Sequence, residues 1–149
     1  MRFVEDLDLK GRTVFLRVDF NVPQDETGAV RDDTRIRASL ATINWILDQG
    51  GRLVLASHLG RPKGKVNPKY SLAPATRRLA EIIPNTVVQA PDVIGPEVER
   101  LKGALQNGEA LALENVRFYP GEEADDAAFA AELARGIDRD DHVVRLGLA

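Results

Sequence analysis

Residues 14–23 read Val14-Phe15-Leu16-Arg17-Val18-Asp19-Phe20-Asn21-Val22-Pro23, an apolar strand that ends in an arginine, a carboxylate and an amide. A strand that only fills a core has no physical reason to end in this way, because arginine and aspartate are rarely buried unless they are paired. In an open α/β sheet, ligands bind beyond the carboxyl ends of the strands. The stretch therefore predicts a strand that delivers polar side chains to a binding cleft.

The rest of the chain alternates short β-branched runs with segments of helical spacing. The predicted strands cover residues 13–18, 52–56, 86–89 and 109–113. One predicted helix follows the N-cap pair Asp33-Thr34 and ends at Gly50-Gly51, and three more cover about residues 73–83, from 96, and 125–135. This alternation predicts an α/β fold of three αβα layers around a parallel, Rossmann-like sheet.

Polar clusters follow these predicted strands. They are Asp19-Phe20-Asn21, Ser57-His58-Leu59-Gly60-Arg61-Pro62, Asp92, and Glu114-Asn115-Val116-Arg117-Phe118. Because the carboxyl ends of parallel strands meet at one edge of a sheet, we expect these side chains to converge there. Such an edge would hold a histidine and several arginines beside a carboxylate and an amide.

Arg35 adds a further cation at the start of the first predicted helix. A cation is unfavourable at the positive end of a helix dipole, whereas the free N–H groups there attract anions. The position is reasonable if a phosphate or carboxylate binds between Arg35 and the helix. Three arginines and a histidine around one point suit a ligand with two anionic groups, since the guanidinium fork matches their oxygens in pairs.

Each of these residues also has a purely structural interpretation. Asp19 could cap a turn before Pro23, since Asp and Asn favour turns, and His58 could serve only the fold. Surface ion pairs could explain two of the arginines: Arg117 with Glu114, Glu122 or Glu123, and Arg35 with Asp32 or Asp33. Together these interpretations require several strands of one sheet to end in polar residues by chance.

Composition and motifs argue against several classes of partner and binding site. The chain has 149 residues, a net charge of −3 and no cysteine, which argues against a general nucleic-acid or anionic-membrane partner and fits a cytoplasmic location. Lys65 precedes Val66, so residues 60–65 do not form a phosphate loop. His58 and His142 are the only histidines and lack metal-ligand spacing, so we predict no metal site.

Several motifs, in this order, resemble the N-terminal domain of the phosphoglycerate kinase family. They are the stretch 17–23, Asp33-Thr34-Arg35-Ile36, Ser57-His58-Leu59-Gly60-Arg61-Pro62, Lys69-Tyr70-Ser71-Leu72, Gly95-Pro96-Glu97-Val98 and Leu113-Glu114-Asn115-Val116-Arg117-Phe118. The resemblance implies a glycolytic transferase that moves a phosphoryl group between 1,3-bisphosphoglycerate and ADP, giving 3-phosphoglycerate and ATP with Mg²⁺. Family members of full length are usually monomeric.

The resemblance also assigns roles to individual residues. Arg35 matches the family's catalytic arginine, which stabilises the phosphoryl group during transfer. The positions that match substrate-binding segments are Asp19, Phe20, Asn21, Arg35, His58, Leu59, Gly60, Arg61 and Arg117. In the family a separate C-terminal domain binds Mg-ATP or Mg-ADP, and no cofactor-binding residue is matched in this chain.

The resemblance ends near residue 137. Residues 1–137 are interpreted as a partial N-terminal triose-binding domain of a two-domain kinase, and residues 138–149 as a divergent tail in which Val143 and Val144 form a short strand. We expect a truncated or frameshifted product, or a fragment, that is inactive alone, marginally stable and able to self-associate. The alternative is a non-catalytic fragment or anion-binding module that lacks the nucleotide domain.

Overall fold

The central strands are continuous apolar runs, as expected where helices cover both faces of a sheet. The structure, a computed structural model, describes residues 10–62, 64–120, 127–135 and 143–145. Its strands are β1 (Thr13–Arg17), β2 (Arg52–Ala56), β3 (Val87–Gln89), β4 (Ala110–Ala112) and β5 (Val143–Arg145). They form one parallel sheet in the order β3-β4-β2-β1-β5, which confirms the predicted fold class.

Helices connect the strands as crossovers. They are α1 (Thr34–Ala38), α2 (Leu40–Asp48), α3 (Ala73–Ile82), α4 (Pro96–Ala104) and α5 (Ala127–Ala134), with 3₁₀ turns at Pro68–Tyr70 and Val116–Phe118. The predicted strand and helix bounds agree with the described elements to within about two residues, and the predicted start of the last helix lies outside the described residues. None of the described helices is long and apolar enough to cross a membrane.

The sheet separates two apolar clusters, because successive strand residues point to opposite faces. One cluster contains Val14 and Leu16 of β1, and the other contains Phe15. Helices α1, α2 and α3 contribute buried residues to the first cluster: Ile36, Ile43, Ile46, Leu47, Ala75 and Leu79. Helices α4 and α5 contribute Val98 and Phe129 to the second cluster. The three αβα layers are therefore present.

The first predicted helix is interrupted at Ser39, which separates α1 from α2. The Ser39 hydroxyl donates to the Arg35 carbonyl at 3.3 Å, a side-chain bond that competes with regular helix geometry. The helix begins at Thr34 with Asp33 at the N-cap position, as predicted, but it is the side chain of Asp32 that accepts the Thr34 N–H, at 2.9 Å. Asp33 makes no side-chain cap bond.

Asp33 instead joins two helices. Its carboxylate accepts from Arg37 at 3.1 Å and from Arg78 of α3 at 2.9 Å. These guanidinium contacts hold the pKa of Asp33 below its usual value, with the Arg78 hydrogen bond as the largest cause. Two guanidinium groups give this carboxylate more charge-assisted hydrogen bonds than one backbone N–H would, which explains why these contacts prevail.

The strand predicted at Val143-Val144 is confirmed. β5 pairs in parallel with β1, on the side opposite β2, with Phe15 beside Val143 and Leu16 beside Val144. β1 is therefore an interior strand of the sheet. This arrangement places the polar end of β1 between two neighbours.

Candidate functional site

Backbone hydrogen bonds continue beyond the carboxyl ends of the central strands and hold the following segments side by side. The Val18 N–H donates to the Ala56 carbonyl at 3.0 Å. The Leu113 N–H donates to the backbone carbonyl of Leu55 at 2.9 Å, and the Val116 N–H donates to the backbone carbonyl of Ser57 at 3.1 Å. Three of the predicted polar clusters are therefore adjacent, as the parallel sheet requires.

The fourth cluster, at Asp92, serves the fold. The Asp92 carboxylate accepts from the backbone N–H of Val93 at 2.7 Å and from the Tyr119 hydroxyl at 2.6 Å. Its backbone carbonyl accepts from Glu114 at 3.2 Å. Asp92 thus secures the segment after β4 to the end of β3.

Arg35 lies against the turn that follows β1. One of its guanidinium nitrogens donates to the Asn21 carbonyl at 2.8 Å and lies 3.4 Å from the Asp19 carboxylate. Asp19 also accepts from the Asn21 N–H at 3.1 Å, so its turn-forming interpretation is correct. The ion pair of Arg35 is with Asp19 and not with Asp32 or Asp33. With half of its side chain exposed (52%), Arg35 can still reach a ligand.

The helix-dipole interpretation of Arg35 receives less support. α1 has only five residues, so its macrodipole is small, and Asp32 already occupies the first backbone donor of the helix. The affinity of this corner for an anion must therefore come from the guanidinium group itself.

Residues 58–61 follow β2, and two side chains from the β1 and β2 ends fix their backbone. The Asn21 side-chain oxygen accepts from the Gly60 N–H at 3.1 Å. The buried Ser57 hydroxyl accepts from the Phe20 N–H at 2.9 Å and donates to the His58 carbonyl at 3.1 Å. Phe20 is buried beside it.

Gly60 is required by both its backbone and its surroundings. It adopts φ +61°, a region that favours glycine. A Cβ at this position would lie 2.5 Å from Cε1 of Tyr70. The Tyr70 ring therefore packs on the backbone of the predicted binding segment.

The segment after β4 contains a fully buried amide, Asn115. Its Nδ2 donates to the carbonyls of Leu59 at 2.8 Å and Tyr70 at 2.9 Å, and its Oδ1 accepts from the Arg117 N–H at 3.0 Å. Neighbouring Glu114 accepts from the Ser71 hydroxyl and the Leu72 N–H, both at 2.7 Å, so its carboxylate supports the start of α3.

The predicted site residues differ in how closely they are joined. Direct hydrogen bonds connect Asp19, Asn21, Arg35 and Gly60. Side-chain bonds from Ser57 or Asn115 hold the backbones of Phe20, His58, Leu59 and Arg117. Arg61 is exposed, and no hydrogen bond or ion pair joins its side chain to another residue in the described ranges. Ion pairs of Arg117 with Glu122 or Glu123 concern residues that lie outside these ranges.

A pocket of about 530 Å³ opens beside Arg35. It is lined by Asn21, Val22, Pro23, Asp32, Thr34 and Arg35. A second cleft, of about 760 Å³, shares Pro23 and Asp32 with it but extends between the loop of residues 23–33 and α3. Of these two clefts, the smaller is lined by the predicted site residues Asn21 and Arg35, whereas the larger is lined by none of them.

Ser57 and Asn115 were not predicted as site residues, although both lie within the motifs. The signal that could have identified them is a polar residue within three positions of the end of a buried strand, where buried polar groups must be hydrogen-bonded. Among the residues that the structure describes, no three His, Cys, Asp or Glu side chains are grouped so that they could hold a metal ion.

Comparisons with known proteins agree in pointing to one family. The family model described as phosphoglycerate kinase matches residues 4–140. A phosphoglycerate kinase from Pelobacter propionicus is 55% identical over 137 residues, covering 91% of this chain and 34% of the relative. A cytosolic phosphoglycerate kinase from Triticum aestivum is 55% identical over 133 residues, covering 89% of this chain and 33% of the relative.

Solved structures give the same result. The crystal structure of phosphoglycerate kinase from Pyrococcus horikoshii superposes with a TM-score of 0.79 at 30% identity, covering 97% of this chain and 36% of that chain. The structure of phosphoglycerate kinase from Coxiella burnetii has a TM-score of 0.75 at 32% identity, covering 91% of this chain and 32% of that chain. The chain spans about a third of the length of the curated relatives it matches.

Proposed function

The chain belongs to the phosphoglycerate kinase family, and from that premise we propose that its residues form the 3-phosphoglycerate-binding half of such an enzyme. The proposed reaction breaks the bond between the acyl oxygen and the phosphorus of 1,3-bisphosphoglycerate and forms a bond from that phosphorus to the terminal oxygen of ADP. The products are 3-phosphoglycerate and ATP. Because the chain spans about a third of its relatives, this activity is a proposal for the whole protein.

The observation that carries the proposal is the contact of Arg35 with Asn21 at the pocket of about 530 Å³. The exposed guanidinium is held by a carbonyl and by a carboxylate 3.4 Å away, contacts weak enough for an anionic ligand to replace. A guanidinium binds carboxylate or phosphate oxygens in pairs, which suits a triose carrying both groups.

Each of these residues is proposed to bind the part of the ligand that matches its side-chain chemistry. Arg35 would neutralise the phosphoryl group during transfer, a reaction in which positioning and charge stabilisation supply most of the catalysis. Asp19 and the Nδ2 group of Asn21 would bind the triose hydroxyl, since the Oδ1 of Asn21 is used by Gly60. His58, Arg61 and Arg117 would bind the terminal phosphate.

The nucleotide and its Mg²⁺ are proposed to bind outside the described residues, which do not form a metal-ligand group. We therefore expect the 149-residue polypeptide to bind the triose phosphate without catalysing ATP-dependent turnover. Residues 1–137 would act as the triose-binding part, as proposed from the motifs. The wheat relative named as cytosolic supports a cytoplasmic location.

Calorimetric titration with 3-phosphoglycerate tests this function. Arg35→Ala should weaken binding about 10- to 100-fold, because a hydrogen bond between charged groups contributes about 1.5–3 kcal/mol. Arg37→Ala is the matched control, since Arg37 lies on the same helix but pairs with Asp33. Its affinity should stay within about twofold.

Three outcomes would count against the proposal. Absence of binding by the unmodified chain would remove the half-site. Equal affinity for inorganic phosphate and 3-phosphoglycerate would favour a general anion-binding module. ATP-dependent turnover in a coupled assay with the 149-residue chain would contradict its expected inactivity.

A further inference from the structure

Asn115 connects its own segment to two others from a position with no solvent exposure. Its two Nδ2 hydrogens go to the carbonyls of Leu59 and Tyr70, which lie 56 and 45 residues away in sequence. Its Oδ1 accepts from the Arg117 N–H. The two donors thus reach the backbones of distant segments, and the acceptor caps the 3₁₀ turn that begins Asn115's own segment.

Only an amide meets these requirements at this position. A carboxylate of the same shape could still accept from Arg117 but would face the carbonyl oxygens of Leu59 and Tyr70 without a hydrogen to donate. An apolar side chain would leave two carbonyls and an N–H without partners in a buried place, which is costly. The buried surroundings therefore select asparagine for its two donors and one acceptor.

The partners of Asn115 belong to the proposed substrate-binding segments. Leu59 lies between His58 and Gly60, and the Gly60 N–H is held from the other side by Asn21 at 3.1 Å. Residues 58–61 are thus attached to the β1 end through Asn21 and to the β4 end through Asn115. The backbone of Arg117 is attached to the same amide at 3.0 Å.

We infer that Asn115 is a positioning residue that sets the distance between the segment of residues 58–61 and Arg117, so that both reach one phosphate group. It acts through the backbone and does not itself touch the ligand. This inference rests on the proposed function, because it concerns the same triose-phosphate site. Misplacing a group of an active site by about 1 Å can cost roughly 100-fold in rate, so the position of these backbones matters for the proposed site.

Asn115→Asp tests the inference, with Asn85→Asp as a matched control. Asn85 donates from Nδ2 to the Gly108 carbonyl at 2.9 Å, a similar bond at the opposite edge of the sheet. Titration with 3-phosphoglycerate should show a 10- to 100-fold weaker affinity for Asn115→Asp. Asn85→Asp should stay within about twofold of the unmodified chain. The amide resonances of Gly60 and Arg117 should shift in the first variant only.

The outcomes separate this inference from the proposed function. If the unmodified chain does not bind 3-phosphoglycerate, both fail. If it binds and folded Asn115→Asp binds equally well, only the positioning role is overturned.

If Asn115→Asp does not fold, an NMR titration of the unmodified chain tests the positioning role instead. Adding 3-phosphoglycerate should shift the side-chain Nδ2 resonances of Asn115 together with the Arg117 amide. Unshifted Asn115 resonances under saturating ligand would overturn the inference.

Discussion

The side-chain oxygen of Asn21 accepts a hydrogen bond from the backbone N–H of Gly60, with 3.1 Å between the two atoms. This bond joins the turn after β1 to the segment after β2 across 39 positions of sequence. It also leaves the Nδ2 group of Asn21 as the part of the side chain that can bind a ligand. Asn21 therefore combines a structural bond with a proposed binding contact in a single amide.

Two substitutions at Asn21 should separate these roles. Asn21→Asp keeps an oxygen for Gly60 but replaces the Nδ2 donor with a negative charge, so 3-phosphoglycerate affinity should fall with little loss of stability. Asn21→Ala removes the acceptor as well and should lower the free energy of unfolding by about 1–2 kcal/mol. Denaturant unfolding and titration measure the two effects. Equal losses of stability in both variants would contradict this division.

Gly60→Ala should be more destabilising than Gly28→Ala. Both glycines have positive φ, +61° and +86°, but a Cβ at Gly28 meets nothing within 4 Å, whereas one at Gly60 meets the Tyr70 ring. Gly28→Ala should cost about 1–2 kcal/mol from backbone strain. Gly60→Ala should cost about 1–3 kcal/mol more, since the ring must move. Urea unfolding of both variants is the test, and similar midpoints would contradict the close approach of Tyr70.

Tyr119 should titrate abnormally. Burial, followed by the hydrogen bond and charge of Asp92, raises the pKa of Tyr119 from 10.0 to about 12. Because the folded-state pKa is the higher one, the stabilising contribution is present below pH 10 and is lost as the pH rises towards 12. Ultraviolet titration of tyrosinate in Tyr70→Phe, which leaves Tyr119 as the only tyrosine, measures this pKa.

Asp92→Asn provides the control for Tyr119. It removes the carboxylate charge but not the burial, so the pKa of Tyr119 should fall only part of the way towards 10.0. An unchanged pKa would show that the bond between the Tyr119 hydroxyl and Asp92 does not form in solution.

Lys102→Met should loosen the C-terminal end of α5. The buried ammonium of Lys102 donates to the carbonyls of Leu133 at 3.1 Å and Arg135 at 2.8 Å, and also lies 3.3 Å from Glu99. Burial lowers the pKa of Lys102, so desolvation offsets part of the gain from these bonds. A net loss of about 1–2 kcal/mol is expected, with faster hydrogen exchange in α5.

Arg100→Met is the comparison for Lys102. Arg100 is exposed and pairs with Glu97 within α4, and removing such a pair should change stability by less than about 0.5 kcal/mol. If the two variants have the same stability and the same exchange rates in α5, Lys102 does not hold this helix.

Much of the fold follows from local patterns. The apolar runs at Val14–Leu16 and in β2 and β4 identify strands covered on both faces, and Gly50 and Pro96 mark helix ends through their own backbone preferences. The interruption at Ser39 was not predictable, because the apolar spacing of Ile36 and Ile43 continues through it. Lys102 was not predictable as a core residue either, since its burial depends on carbonyls of a different helix.

The sequence by itself determined the α/β class, the positions of the strands and the family, because hydrophobic periodicity and ordered motifs are properties of neighbouring residues. It also identified the edge where Asp19, Arg35 and Gly60 meet. Only the tertiary structure decided which polar groups bind each other there. The partners of Ser57 and Asn115 lie 37 and 56 residues away, and a buried polar side chain takes its role from the carbonyls and N–H groups that the fold places beside it.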